Sequence, residues 1–234
     1  MTARPRIAVV DYGAGNIVSI DQALTTVGAE VVLARDGDAL RGADAVIVPG
    51  VGAAAPAMAR LDQRGLTSPI RAWLAADRPF LGICLGLQLL FDGSDEDGAV
   101  TLGILPGRTV RLEGAPTLPH IGWNQVERTR THPLFDGIAD GADFYFVHSF
   151  VGVPAGAGDE VAAGAGGVAP ADEGAGVVLA DAGDGVVLAT TWHGRPFASA
   201  VARGALLGVQ FHPERSGPDG LRLLANFVDL VRAA

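Results

Sequence analysis

Cys84 sits in Gly82-Ile83-Cys84-Leu85-Gly86, where an apolar run meets a helix-like segment. A nucleophile between two glycines at a strand-to-helix turn is the pattern of a nucleophile elbow, here with sulfur in place of a serine hydroxyl. The glycines relieve crowding in a sharp turn, and the turn projects the sulfur above a sheet. The following helix points its free N–H groups and positive dipole end at that sulfur, and both favour a thiolate. The Leu85 N–H is also placed to receive an oxyanion. Taken alone, the motif fits a tightly packed buried cysteine equally well.

A base is found far along the chain. Residues 206–211 read as a strand that ends in His212-Pro213-Glu214. Residues i and i+2 of an extended segment share a side, so Glu214 can hold the His212 imidazole in one tautomer while Pro213 stiffens the spacing. His120, His132, His148 and His193 have no carboxylate two residues away. Cysteine, histidine and carboxylate together give a nucleophile, a base and its orienter, suited to acyl transfer or amide hydrolysis. A His-x-Glu pair could also begin a metal site. No companion ligands stand at suitable spacing, so neither metal nor other cofactor is expected.

An oxyanion needs donors as well. Pro49-Gly50-Val51-Gly52 follows an apolar run, and its glycines let backbone approach a ligand closely. Val51 or Gly52 can supply one N–H and Leu85 the other.

Alternating elements must position these groups. Residues 7–10, 30–34, 45–48 and 80–83 read as buried strands, the third stopped by Pro49-Gly50. Residues 16–27, 54–61 and 69–75 show helical spacing, and a helix begins over 85–91. That order predicts a mostly parallel central sheet flanked by helices, in the α/β class. Later residues 108–112, 124–128, 144–150 and 186–191 read as strands without long helices between them. Residues 197–201 and 206–211 form a hairpin at Arg203-Gly204, and 221–231 a closing helix. The expectation is an antiparallel extension on a parallel core. Ligands favour the carboxyl ends of such parallel strands.

The 234 residues suit a single domain. Residues 155–185 stand apart, mostly Ala, Gly, Asp and Val, and are expected as a flexible surface insertion with a short strand over 177–179. A net charge of −9 with no lysine in the chain argues against a nucleic-acid surface. One cysteine excludes an internal disulfide. No signal peptide or membrane span is read, so a cytoplasmic protein with no membrane partner is expected.

The Cys84 motif with Gln88, together with Gly208-Val209-Gln210-Phe211-His212-Pro213-Glu214, resembles the class I, triad-type glutamine amidotransferases. Asp11-Tyr12-Gly13-Ala14-Gly15-Asn16, Pro49-Gly50-Val51-Gly52, Pro119-His120-Ile121-Gly122-Trp123-Asn124 and Tyr145-Phe146-Val147-His148-Ser149-Phe150 narrow the likeness to the glutaminase subunits of imidazole glycerol phosphate synthases. The resemblance implies hydrolysis of glutamine to glutamate and ammonia through a cysteine thioester. It implies a (β/α)8-barrel cyclase partner that takes the ammonia and makes imidazole glycerol phosphate, for histidine synthesis, and an aminoimidazole carboxamide ribotide. By the same likeness Gly52, Gln88, His148, Ser149 and Phe150 hold the glutamine, while Asn16, His120, Trp123, Tyr145 and Arg215 lie at or near the interface. Trp123 and Tyr145 read equally as aromatic core. Arg215 stands where the family commonly has lysine, and Phe150 where it has tyrosine. Two alternatives stay open: a glutaminase subunit for anthranilate, purine or pyridoxal phosphate synthesis, and a silent regulatory module on this fold.

Overall fold

The computed structural model describes residues 4–156 and 185–234. Most of the expected insertion, including the strand over 177–179, lies outside the described residues.

Among the described residues the main sheet has nine strands in the order β2-β1-β3-β4-β12-β11-β10-β7-β8. One half is parallel. It holds β1 (Arg6–Val10), β2 (Glu30–Ala34), β3 (Ala45–Gly50), β4 (Phe80–Cys84) and β12 (Leu206–Val209). The antiparallel half runs on from β12 through β11 (Pro196–Arg203), β10 (Val187–Trp192), β7 (His120–Arg128) and β8 (Ala142–His148). β12 is thus the seam, with a parallel neighbour on one side and its own hairpin partner on the other. A second sheet joins β5 (Gly93–Ser94), β6 (Gly107–Arg111) and β9 (Phe150–Pro154).

The central strands are apolar on both faces because helices cover both. Ile7, Val9, Ile47, Leu81 and Ile83 point to the side covered by α1 (Ile17–Thr26) and the C-terminal helix α5 (Gly217–Ala233). The alternate residues Ala8, Val10, Val46, Val48 and Phe80 meet α2 (Ala54–Gln63) and α3 (Thr67–Ala75). This period-two division places two separate cores on the two faces of one sheet.

Three local expectations are corrected. β3 continues through Pro49 and Gly50, which pair with Ile83 and Cys84 of β4. A proline fits there because the pairing of β3 with β1 stops at Ile47, so no ladder bond needs its missing N–H. The helix after Cys84, α4 (Leu85–Gln88), is one turn long. The carbonyls of Leu89, Leu90 and Phe91 accept N–H groups from residues 102–105 instead of extending the helix. The single strand expected over 144–150 is two, β8 and β9, which belong to different sheets and meet at Ser149.

Candidate active site

The site is built at the carboxyl ends of β3, β4 and β12. Cys84 ends β4 with φ 54 and ψ −108, a backbone conformation that L-residues rarely adopt. Holding a residue there costs on the order of 1–3 kcal/mol, so the surroundings must enforce it. The glycines show how. A Cβ on Gly86 would overlap the Val48 carbonyl, and a Cβ on Gly82 would come within 2.6 Å of the Gly86 carbonyl oxygen. The turn closes only because neither residue has a side chain. α4 is a single turn, so the dipole of a long helix is not available at the sulfur. The sulfur receives the Gln210 Nε2–H at 3.6 Å.

His212 and Glu214 meet, with Nδ1 3.0 Å from Oε1. They do so by a different route from an extended segment: Pro213, Glu214 and Arg215 form one 3-10 turn, which folds the carboxylate back under the ring. Long-range bonds fix the His212 backbone. Its N–H donates to the Tyr145 carbonyl at 2.9 Å, and its carbonyl accepts the Ser216 hydroxyl at 2.7 Å. Ser216 Oγ accepts the Tyr145 N–H at 3.0 Å, so one hydroxyl ties β8 to the base.

Burial pushes the His212 pKa down, but hydrogen bonding and negative charge from Cys84 and Glu214 outweigh it and raise the value to about 10. Among the described residues, His212 Nε2 and Glu214 Oε2 are buried without a hydrogen-bond partner. Cys84, His212 and Glu214 are thus gathered at one end of the parallel strands.

Beside the sulfur is a cavity of about 270 Å³, at the small end for sites that enclose a ligand. Every residue expected to bind substrate or oxyanion lines it: Val51, Gly52, Leu85, Gln88, His148, Ser149 and Phe150. Gly52 has φ 92, and a Cβ on Gly50 would collide with the Tyr12 hydroxyl, so the conformation of this loop depends on both glycines. The Gln88 amide is already engaged, donating to the Phe150 carbonyl at 2.8 Å and to Gln210 Oε1 at 3.1 Å.

Three participants escape the sequence reading. Glu96 is the cavity's acidic lining residue, and burial followed by the Asp97 charge raises its pKa. Gln210 touches the sulfur, and Ser216 clamps the base. Gln210 lies inside the quoted motif two residues before His212, and that position was its one available signal. Glu96 and Ser216 come from a loop and a helix start that carry no local pattern.

The residues expected at an interface gather partly. Trp123 is 57% exposed and pairs across the sheet with Tyr145, whose ring carries the Arg215 guanidinium at 4.1 Å. Asn16 is half-buried at the start of α1. His120 lies behind that face at 4% exposure, its Nδ1 3.1 Å from His148 Nε2.

Comparison with known proteins places the chain in a family. The glutamine amidotransferase class-I family matches residues 8–231. The imidazole glycerol phosphate synthase subunit HisH of Moorella thermoacetica is 45% identical over 229 residues, covering 97% of this chain and 96% of that one. The HisH subunit of Synechococcus sp. strain JA-2-3B'a(2-13) is 44% identical, covering 97% and 93%. Among solved structures, a glutamine amidotransferase superposes with TM-score 0.68 at 20% identity, over 97% of this chain and 98% of the other. PurLQS of Thermotoga maritima gives 0.68 at 18%, over 97% and 99%. At such identities the structures speak for the fold alone, while the full-length relatives speak for the family. The chain belongs to the class I glutamine amidotransferases, within the HisH subunits of imidazole glycerol phosphate synthases.

Proposed function

We propose that the chain's work as the glutaminase subunit of imidazole glycerol phosphate synthase is done by Cys84, His212 and Glu214. The observation that carries this is convergence: residues from distant parts of the chain line one small cavity with Cys84, and His212 and Glu214 form a buried pair at the carboxyl end of the adjoining strand.

The raised His212 pKa keeps a proton on the imidazole beside the sulfur, and Cys84 attacks the side-chain amide carbon of glutamine as the thiolate. A C–S bond forms and the carbonyl electron pair moves to oxygen, received by the N–H of Leu85 and that of Val51 or Gly52. His212 gives its proton to the amide nitrogen, the C–N bond breaks and ammonia leaves. Water then gives a proton to His212 and attacks the thioester. The C–S bond breaks, glutamate departs and Cys84 is restored. Glu214 holds Nδ1–H of the imidazole, leaving Nε2 for the sulfur. Glu96 offers a carboxylate for the α-ammonium of glutamine, while Gly52 and Ser149 present backbone to the same ligand. Phe150 brings its carbonyl to the cavity wall through Gln88, so the absent tyrosine hydroxyl leaves that backbone contact in place.

The ammonia goes to a (β/α)8-barrel cyclase subunit, docked on the face that carries Asn16, Trp123, Tyr145 and Arg215, with His120 behind it. Weak hydrolysis in isolation and strong stimulation by the docked partner are expected, because Tyr145 on the proposed docking face holds the His212 backbone directly. A cytoplasmic setting suits this pathway. Among the described residues no helix is long and apolar enough to cross a membrane. Subunits for anthranilate, purine or pyridoxal phosphate synthesis and a silent module are less well supported, given full-length HisH relatives at 41–45% identity and a gathered triad.

The test is a glutaminase assay with and without the cyclase subunit and its nucleotide ligand. Wild type is expected to be slow alone and fast in the complex, and Cys84→Ser inert in both with an unchanged circular dichroism spectrum. Turnover that survives Cys84→Ser removes the nucleophile assignment, and activity indifferent to the cyclase removes the partner.

A further inference from the structure

Gln210 is wholly buried on the turn between β12 and His212, and its backbone N–H donates to the Ser199 carbonyl at 2.9 Å. An amide side chain can face a neighbour with either end, and its neighbours decide which. Here the decision runs through a chain of partners. The Phe150 carbonyl can only accept, and it lies 2.8 Å from Gln88 Nε2 and 3.1 Å from His148 Nδ1. Both must donate to it. Gln88 therefore turns its second N–H to Gln210, 3.1 Å away, so the facing Gln210 atom is the oxygen. The remaining end of Gln210 is the NH2 group, and it meets the Cys84 sulfur at 3.6 Å.

The other branch closes consistently. His148, with its proton on Nδ1, accepts at Nε2 from His120 Nδ1 at 3.1 Å. His120 then accepts at Nε2 from Asn124 Nδ2 at 3.2 Å, and Asn124 Nδ2 also donates to the Trp192 carbonyl at 2.8 Å. Burial holds both rings below the ordinary histidine range, His148 to about 3 and His120 to about 4, which matches the neutral tautomers the donors and acceptors require. Every proton from β7 to the sulfur has one arrangement.

We propose that Gln210 is a further catalytic group of this site, donating its amide N–H to the Cys84 sulfur and stabilising the thiolate that attacks glutamine. Gln88, the Phe150 carbonyl, His148 and His120 are positioning groups that keep the donor end of that amide on the sulfur. The inference rests on Cys84 being the nucleophile. A hydrogen bond to a charged acceptor is stronger than one between neutral groups, and a large anion such as thiolate can take one donor from Gln210 and another from His212.

The test reads the sulfur without reading glutaminase. Cys84 is the chain's single cysteine, so uptake of one equivalent of iodoacetamide by the full chain reports this thiol alone. Gln210→Met keeps the length and removes the N–H. It is expected to slow alkylation about tenfold near neutral pH, with no change at strongly alkaline pH, where the sulfur is ionised regardless. Gln210→Glu puts a carboxylate at the sulfur and is expected to slow the neutral reaction further. Gln88→Leu frees the amide to rotate and is expected to give a smaller effect of the same sign, which keeps the proposal testable if Gln210→Met fails to fold. Equal rates in wild type and variants at neutral pH overturn the proposal. So does a slowing that is the same at all pH values, which marks a structural role only. Glutamine turnover surviving in Cys84→Ser would instead overturn the nucleophile reading, so the two failures are told apart.

Discussion

The proposed nucleophile and its proposed base are held in unlike ways. Cys84 belongs to the parallel half, and its geometry is enforced within a few residues by glycines that pack against the β3 backbone and the α4 turn. His212 stands where the parallel half meets the antiparallel one, and it is held from outside its own segment by Tyr145 of β8 and by Ser216. One catalytic group is thus rigid by local sterics. The other is placed by long-range hydrogen bonds to the strand that carries Tyr145 opposite Trp123. A site built this way can vary the distance between base and nucleophile without disturbing the nucleophile.

The comparison is most severely broken at the rigid end. Gly86→Ala drives a methyl group into the Val48 carbonyl. It is expected to lower stability by about 3 kcal/mol and to abolish glutamine turnover, measured by urea unfolding and the glutaminase assay. Unfolding at the wild-type midpoint would mean that the elbow is not what fixes Cys84. Ser216→Ala acts at the other end, leaving the Tyr145 N–H and the His212 carbonyl short of a buried partner. A loss of about 1–3 kcal/mol is expected. Turnover in the complex should fall at least tenfold while Cys84 alkylation at strongly alkaline pH changes little. If both activities fall together, the two ends are not independent.

The smallest effect concerns acid. His120 and His148 lie on β7 and β8, and the folded chain accepts their protons only at about pH 4 and 3, against 6.5 for the unfolded chain. The unfolded state binds more protons in between, so the contribution of these two rings is complete above pH 6.5 and declines as pH falls. His132, also lowered by burial, adds the same sign. Unfolding midpoints recorded from about pH 6.5 to 5, above the range where carboxylates titrate, should decline in wild type and less steeply in His148→Gln. A flat wild-type profile would show that these rings are not kept neutral by folding.

The same division explains what the sequence revealed. Gly82, Cys84 and Gly86 are legible because steric need and residue identity coincide within one short stretch. The His212–Glu214 pair was legible as a pair, although a 3-10 turn rather than an extended segment brings it together. The break of one expected strand into β8 and β9 at Ser149 was not legible, since both parts are apolar runs and only their partners in two different sheets separate them. The early stop of α4 is hidden for the same reason, as its carbonyls are claimed by residues 102–105. Ser216 and Glu96 act through tertiary neighbours, and no local spacing announces them.

That Cys84 is the chain's single cysteine, set at the wall of a small cavity, also decides its redox chemistry. An oxidant that reaches the sulfur converts it to a sulfenic acid, and no second thiol in the chain can trap that state as an internal disulfide. Rescue must come from a diffusible thiol small enough to enter the cavity, before further oxidation makes the loss permanent. On the proposed function, substrate filling that cavity is a shield as well as a reactant.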